Sequence, residues 1–199
     1  MPVRRGAGAC PRAPPGVTSL GGAAAGERVI MAGKKKSSVG AVFDCIIALG
    51  SNLGDKAANI DRAIELLTGA SDVRLVGRSR NFATAPWGKT DQDWFVNACI
   101  SVATELPARA LLERCQEIER RMGRVHTEKW GPRIIDLDLL IYRDSAISEP
   151  DLVLPHPHIK DRAFVLAPLM DIAPDLTLGG RSVRALYEAI DLGGVRPLD

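Results

Sequence analysis

The rhythm of apolar and polar positions changes several times along the chain, and each change marks an element. Cys45-Ile46-Ile47-Ala48-Leu49 is an unbroken apolar run stopped by Gly50, the pattern of a short buried strand. Gly50-Ser51-Asn52-Leu53-Gly54-Asp55 has the composition of a turn, with Asp55 placed to cap a helix. Ile60, Ala63, Ile64 and Leu67 then recur at helical spacing. Val73 to Phe82 alternates loosely and predicts a second strand, Thr84 to Asp93 a polar loop containing Pro and Gly, and Phe95 to Ala103 a third strand. From Pro107 to Met122 the apolar stripe Leu111, Cys115, Ile118 and Met122 predicts a second helix, with Gly123 as its stop. Ile134 to Tyr142 predicts the fourth strand. A Pro-rich loop around His156, an apolar segment from Phe164 to Met170 and a last helix from Ser182 to Ile190 follow.

The order β-α-β-β-α-β predicts an α+β ferredoxin-like fold. In it an antiparallel four-stranded sheet carries both helices on one face, leaves the other face for loops and a site, and here adds a C-terminal extension. No internal repeat interrupts this reading. Residues 1–42 are Gly-, Ala-, Pro- and Ser-rich without helical or strand period, so they are expected to be a disordered extension. Residues 43–199 are expected to form one domain. The extension is rich in Arg and Ala like a transit peptide but lacks an amphipathic face; an upstream extension before Met31 fits it equally.

Composition narrows the function classes. With 46% hydrophobic and 25% charged residues the chain reads as an ordinary soluble domain. Its formal charge of +2 is uneven: residues 1–43 hold seven basic groups and one acid, leaving 19 basic against 23 acidic groups for the remainder. A mildly acidic body argues against a nucleic-acid partner. No apolar run approaches the ~20 residues of a membrane span. Cys10, Cys45, Cys99 and Cys115 show no pairing pattern, and the last three lie in apolar stretches, so a reducing cytoplasm is expected.

The sharpest chemistry lies in Ile135-Asp136-Leu137-Asp138-Leu139-Leu140-Ile141. Alternation on a strand puts Asp136 and Asp138 on one face, and Ile135, Leu137, Leu139 and Ile141 on the core face under the helices. Adjacent carboxylates repel unless a cation lies between them, and Mg²⁺ shared with substrate phosphates is the common solution. An isolated D-x-D is short and common, and alone it would be read as two unrelated solvated acids. Immediately upstream, however, Gly123-Arg124-Val125-His126-Thr127-Glu128-Lys129-Trp130-Gly131-Pro132-Arg133 concentrates basic groups and an indole. Cations beside a metal-carboxylate pair suit nucleoside triphosphate chemistry. Gln116 and Glu119, spaced i, i+3 on the preceding helix, lie within reach; by themselves they would be read as exposed helix polarity. Two other motifs carry nothing. Gly88-Lys89-Thr90 resembles the end of a phosphate-binding loop, but Ala83 stands where its first glycine belongs, and Pro86 lacks an amide donor. His156-Pro157-His158 has no further ligands at zinc spacing.

Taken with Leu154-Pro155-His156 and Leu49-Gly50-Ser51-Asn52-Leu53, the block Gly131-Pro132-Arg133-Ile134-Ile135-Asp136-Leu137-Asp138 resembles the hydroxymethyldihydropterin pyrophosphokinases, from about Asp44 to Leu178. The resemblance implies transfer of pyrophosphate from ATP to 6-hydroxymethyl-7,8-dihydropterin in folate biosynthesis, by a cytoplasmic monomer that uses two Mg²⁺ ions. It implies that Asp136 and Asp138 hold the metals, and that Arg124 and Arg133 contact phosphates and close over the site. Gln116, Glu119, His156 and Arg162 then contact ATP, while Thr84, Trp87, Phe95, Asn97, Trp130 and Phe164 form the pterin pocket. The chain departs from the family pattern at His126, where many relatives have arginine, and at Ala85, Trp87, Asp151 and Val153. A metal-dependent nucleotidyltransferase and a non-catalytic ferredoxin-like binding module are the competing readings.

Overall fold

The unbroken apolar run has its cause in where its strand lies. In the computed structural model, which describes residues 35–36 and 42–198 apart from 89 and 125–130, β3 (Cys45–Ser51) runs between β6 (Phe95–Thr104) and β7 (Asp136–Tyr142), antiparallel to both. It is covered on both faces, so neither set of side chains can be polar. Ile47 and Leu49 enter one core with Ile60, Leu67, Leu111 and Ile118 from helices α1 (Lys56–Thr68) and α2 (Ala108–Arg121). Ile46 enters a second core with Leu166 and Leu169 of α3 (Ala163–Ile172) and Leu186 of α4 (Val183–Tyr187). Each fully buried Leu or Ile contributes roughly 1.5–3 kcal/mol of transfer free energy.

The sheet extends as β12-β5-β6-β3-β7, with β4 (Val73–Arg78) also on β6, β5 being Phe82–Thr84 and β12 Val195–Pro197. Three small pairs complete the chain: β1 (Lys35–Lys36) with β2 (Val42–Phe43), β8 (Ile147–Glu149) with β9 (Leu152–Leu154), and β10 (Thr177–Leu178) with β11 (Arg181–Ser182). The β-α-β-β-α-β frame stands, with α1 and α2 on one face. The C-terminal extension adds α3 and α4 on the other, so that face is only partly left to loops.

Helices α1 and α4 begin where a side chain supplies a missing partner. Asp55 accepts a hydrogen bond from the Ala58 amide at 3.1 Å, and Ser182 does the same for Ala185 at 3.1 Å. Three expectations change. The strand predicted over 73–82 is two strands, because the Ser79 hydroxyl replaces a ladder carbonyl, accepting from the Cys99 amide at 2.9 Å. Arg80 turns its amide instead to Asp171. The last helix spans only Val183–Tyr187. Finally, the β3–β7 register slips between Ile46 and Ile47, so Leu140 and Ile141 both face the second core. Ile141 therefore does not share a face with Leu137 and Leu139, which stay under α1 and α2.

Candidate active site

Asp136 and Asp138 begin β7 ahead of that slip, so alternation still holds for them. Leu137 is buried between them while both carboxylates line the same cleft. Burial, then the negative charge of Asp136, pushes the Asp138 carboxyl up to about 7. The pair is thus an electrostatically unfavourable site awaiting positive charge. Arginines supply some of it. Arg124 donates to Asp136 Oδ1 at 2.5 Å and Arg133 to Asp136 Oδ2 at 2.6 Å, and Arg124 also pairs with Glu119. Glu119 is itself buried, and its Oε1 accepts the Leu137 amide at 2.7 Å. Its carboxyl is raised by burial, against the opposing pull of that amide and of Arg124.

The cleft has a volume of about 270 Å³ and an aromatic side. Phe95 and Phe164 line it, and guanidinium groups lie over both rings: Arg133 is 5.8 Å from the Phe95 centroid and Arg162 is 5.6 Å from that of Phe164. Arg162 is also 4.9 Å from the Trp87 ring, and its buried Nε has no hydrogen-bond partner among the described residues. At the polar end, buried Asn97 donates to the Thr84 hydroxyl at 2.6 Å. Gly50 makes room for Asn97, since a Cβ there would lie 2.6 Å from Asn97 Oδ1.

A second cleft of about 460 Å³ is lined by Leu112, Gln116, Glu119, Arg120 and Asp151, and shares Arg124, Asp136 and Asp138 with the first. The acidic pair therefore lies where two cavities meet. His156 lines the first cleft; burial, with Arg162 and His158 nearby, lowers its pKa to about 4. Its Nδ1 accepts the His158 amide at 3.2 Å, which leaves the proton on Nε2 as a donor.

Among the described residues no group of three or more His, Cys, Asp or Glu could hold a metal. Two carboxylates with neighbouring room for phosphate oxygens and water are the donor set Mg²⁺ favours over a protein cage. The residues present fit that ion.

The structure brings Thr84, Trp87, Phe95, Asn97, Phe164, Arg124, Arg133, Asp136, Asp138, His156 and Arg162 to the first cleft. Gln116 and Glu119 stand apart from these, in the second. Trp130 and His126 lie outside the described residues. Two contributors went unassigned in the sequence. Gly50 was legible as a strand stop, as turn chemistry and as part of the family motif, but not as the gap that admits Asn97. Asn52, read the same way, holds the Arg133 backbone through its Oδ1 at 2.7 Å and through its own amide at 3.1 Å. Asp151 is exposed and pairs with Arg109, at 2.6 and 2.8 Å. No described helix is long and apolar enough to cross a membrane.

An antiparallel α+β sheet presenting paired carboxylates between two arginine-lined clefts defines a group-transfer enzyme of phosphate chemistry. The chain belongs to the 7,8-dihydro-6-hydroxymethylpterin-pyrophosphokinase family, whose model matches residues 46–174. It is similar to the 2-amino-4-hydroxy-6-hydroxymethyldihydropteridine pyrophosphokinase of Methylorubrum extorquens, 48% identical over 153 residues that cover 77% of this chain and 97% of the relative. It is similar also to the protein of that name from Bacillus subtilis, at 37% identity over 72% of this chain and 86% of the relative. Among solved structures, a Plasmodium falciparum HPPK-DHPS with pteroate matches with a TM-score of 0.59 at 16% identity, over 77% of this chain and 42% of that one. An HPPK-DHPS in complex with substrates matches with a TM-score of 0.57 at 15% identity, over 74% of this chain and 43% of that one. At such identity these two speak for the fold, and the chain spans less than half of each.

Proposed function

We propose that this protein transfers the pyrophosphoryl group of ATP to the hydroxymethyl oxygen of 6-hydroxymethyl-7,8-dihydropterin, releasing AMP and the pterin diphosphate in folate biosynthesis. One observation carries the assignment of parts: Asp136 and Asp138 border both cavities, so a donor in one and an acceptor in the other meet at the carboxylates. The pterin lies in the first cleft, stacked by Phe95 and Phe164, with the Asn97 amide and Thr84 at its edge. The nucleotide enters from the second cleft past Gln116. Asp136 and Asp138 would hold two Mg²⁺ ions, which would supply neutralisation of the developing phosphate charge.

The chain's own groups do the rest. Arg124 and Arg133, which neutralise Asp136 in this state, turn to the phosphate oxygens. Neutral His156 donates from Nε2 to a phosphate oxygen without adding a charge that titrates near neutrality. Glu119 anchors Arg124 and the Leu137 amide and so keeps the start of β7 in place. Arg162, drawn off Phe164, frees a ring face for the heterocycle. The reading carries a cytoplasmic monomer without a nucleic-acid partner, consistent with the acidic balance beyond residue 43.

The test is the nucleotide product. Protein, ATP, Mg²⁺ and hydroxymethyldihydropterin should yield AMP, and Asp136→Asn or Asp138→Asn should lower turnover at least about a hundredfold. Release of ADP or of free pyrophosphate, or full turnover in both variants, overturns the proposal. Pyrophosphate would point to a nucleotidyltransferase instead.

A further inference from the structure

The C-terminal strand lies beyond residue 174, where the family match ends, and it touches both ends of one loop of the first cleft. At one end β12 pairs with β5 in the register Val195↔Thr84, and the Ala85 amide donates to the Gly194 carbonyl at 2.8 Å. At the other end Arg196 lies over the Trp94 ring, 4.5 Å from its centroid, next to Phe95. The Leu198 amide donates to the Asn81 carbonyl at 2.8 Å, closing the pairing below β5. Gly194 is suited to this approach. Its φ is +85°, and a Cβ there would already lie 3.0 Å from the Ala85 Cβ.

β5 is three residues long and would be an edge strand without the tail. A strand that short, bonded on one side only, is the kind of segment that opens locally. Yet it carries Thr84, whose register partner is Phe95 and whose hydroxyl accepts the Asn97 amide. The wall that reads the heterocycle's edge and the ring that stacks its face therefore both neighbour positions the tail holds.

We infer that the C-terminal strand is a positioning element for recognition of the pterin, with Gly194 and Arg196 fixing the two ends of loop 85–94. It sets the spacing between Phe95 and the Thr84–Asn97 pair, and has no part in nucleotide binding. The inference rests on the pterin reading of the first cleft, so the experiment separates the two.

KM for hydroxymethyldihydropterin, KM for ATP, kcat and Tm are measured for the full chain and for Arg196→Ala, Arg196→Lys, Leu198→Pro, Phe95→Ala and Asn97→Ala. Arg196→Ala should raise the pterin KM about three- to fivefold, as expected for losing an exposed cation–π contact. kcat, the ATP KM and Tm should stay near their starting values, and Arg196→Lys should restore part of the loss. Leu198→Pro removes a ladder donor and should shift the pterin KM in the same direction. If Leu198→Pro does not fold, Arg196→Ala decides alone. An unchanged pterin KM in Arg196→Ala, or both KM values and Tm moving together, overturns the inference. If Phe95→Ala and Asn97→Ala also leave the pterin KM unchanged, the reading of the cleft fails. If they raise it while Arg196→Ala does not, only the tail's role fails.

Discussion

Gly50 is the most economical place to test how the first cleft is built. It lies in ordinary strand backbone in the middle of β3, paired with Asn97 on one side and Asp136 on the other. A methyl group added there would have as its three nearest neighbours Asn97 Oδ1 at 2.6 Å, Asn97 Cγ at 3.8 Å and Phe95 Cδ1 at 3.9 Å. Both flanking ladders hold the backbone, so the Asn97 amide must rotate away. Rotation breaks its 2.6 Å bond to Thr84, whose hydroxyl is buried. Losing such a partner costs about 1–3 kcal/mol. The same amide would face the pterin edge, so Gly50→Ala should raise the pterin KM roughly 5- to 100-fold, a factor of ten for every ~1.4 kcal/mol. Tm should fall by about 2–4 °C per kcal/mol lost. The atoms nearest the new methyl belong to Asn97 and Phe95 rather than to Asp136, so the ATP KM should hold. The decisive assay repeats the substitution in an Asn97→Ala background. There the clash is gone, and Gly→Ala in strand backbone should be neutral or stabilising by about 0.4–1 kcal/mol through the unfolded chain. An equal loss in both backgrounds, or an ATP KM rising in step with the pterin KM, would refute the reasoning.

Other outcomes follow from single groups. His156 has a folded pKa near 4, below its ordinary value, so the folded state disfavours its protonation. Stability is lost as pH falls below the unfolded value of ~6.5, and the loss is complete near 4. His156→Gln should therefore lose less Tm than the parent between pH 7 and pH 5, by about 1 kcal/mol after discounting for its half-exposed ring. Parallel melting curves would refute it. Leu111 is fully buried beneath the sheet, so Leu111→Ala should cost about 2–5 kcal/mol in denaturant unfolding. A loss under 1 kcal/mol would mean that α2 relaxes into the space. Glu119→Gln keeps an acceptor for the Leu137 amide but removes one of the two carboxylates that hold Arg124. Arg124 keeps its second ion pair, to Asp136, so turnover should fall by about tenfold while Tm stays within a few degrees. Unchanged turnover would remove Glu119 from the positioning of Arg124.

The chain's own pattern determined the frame. Elements of uniform period, such as the Leu111-Cys115-Ile118 stripe or the Asp136–Asp138 alternation, are local: the side chains that define them are set by helix and strand geometry alone. That made the acidic strand readable in advance; the neighbouring arginines were visible as a basic block, and the aromatic positions came only from the family resemblance. What the sequence could not specify were events decided by a distant partner. The slip that moves Ile141 to the second core arises from pairing between β3 and β7, about ninety residues apart in the chain. Ser79 breaks a predicted strand only because the Cys99 amide stands opposite it. Gly50 looked like turn chemistry, and its reason is the Asn97 side chain on another strand. The tail strand has no periodicity at three residues, and it exists because β5 offers it an edge. Local period is written into consecutive residues, whereas register, close approach and edge completion are properties of pairs that only the packed chain brings together.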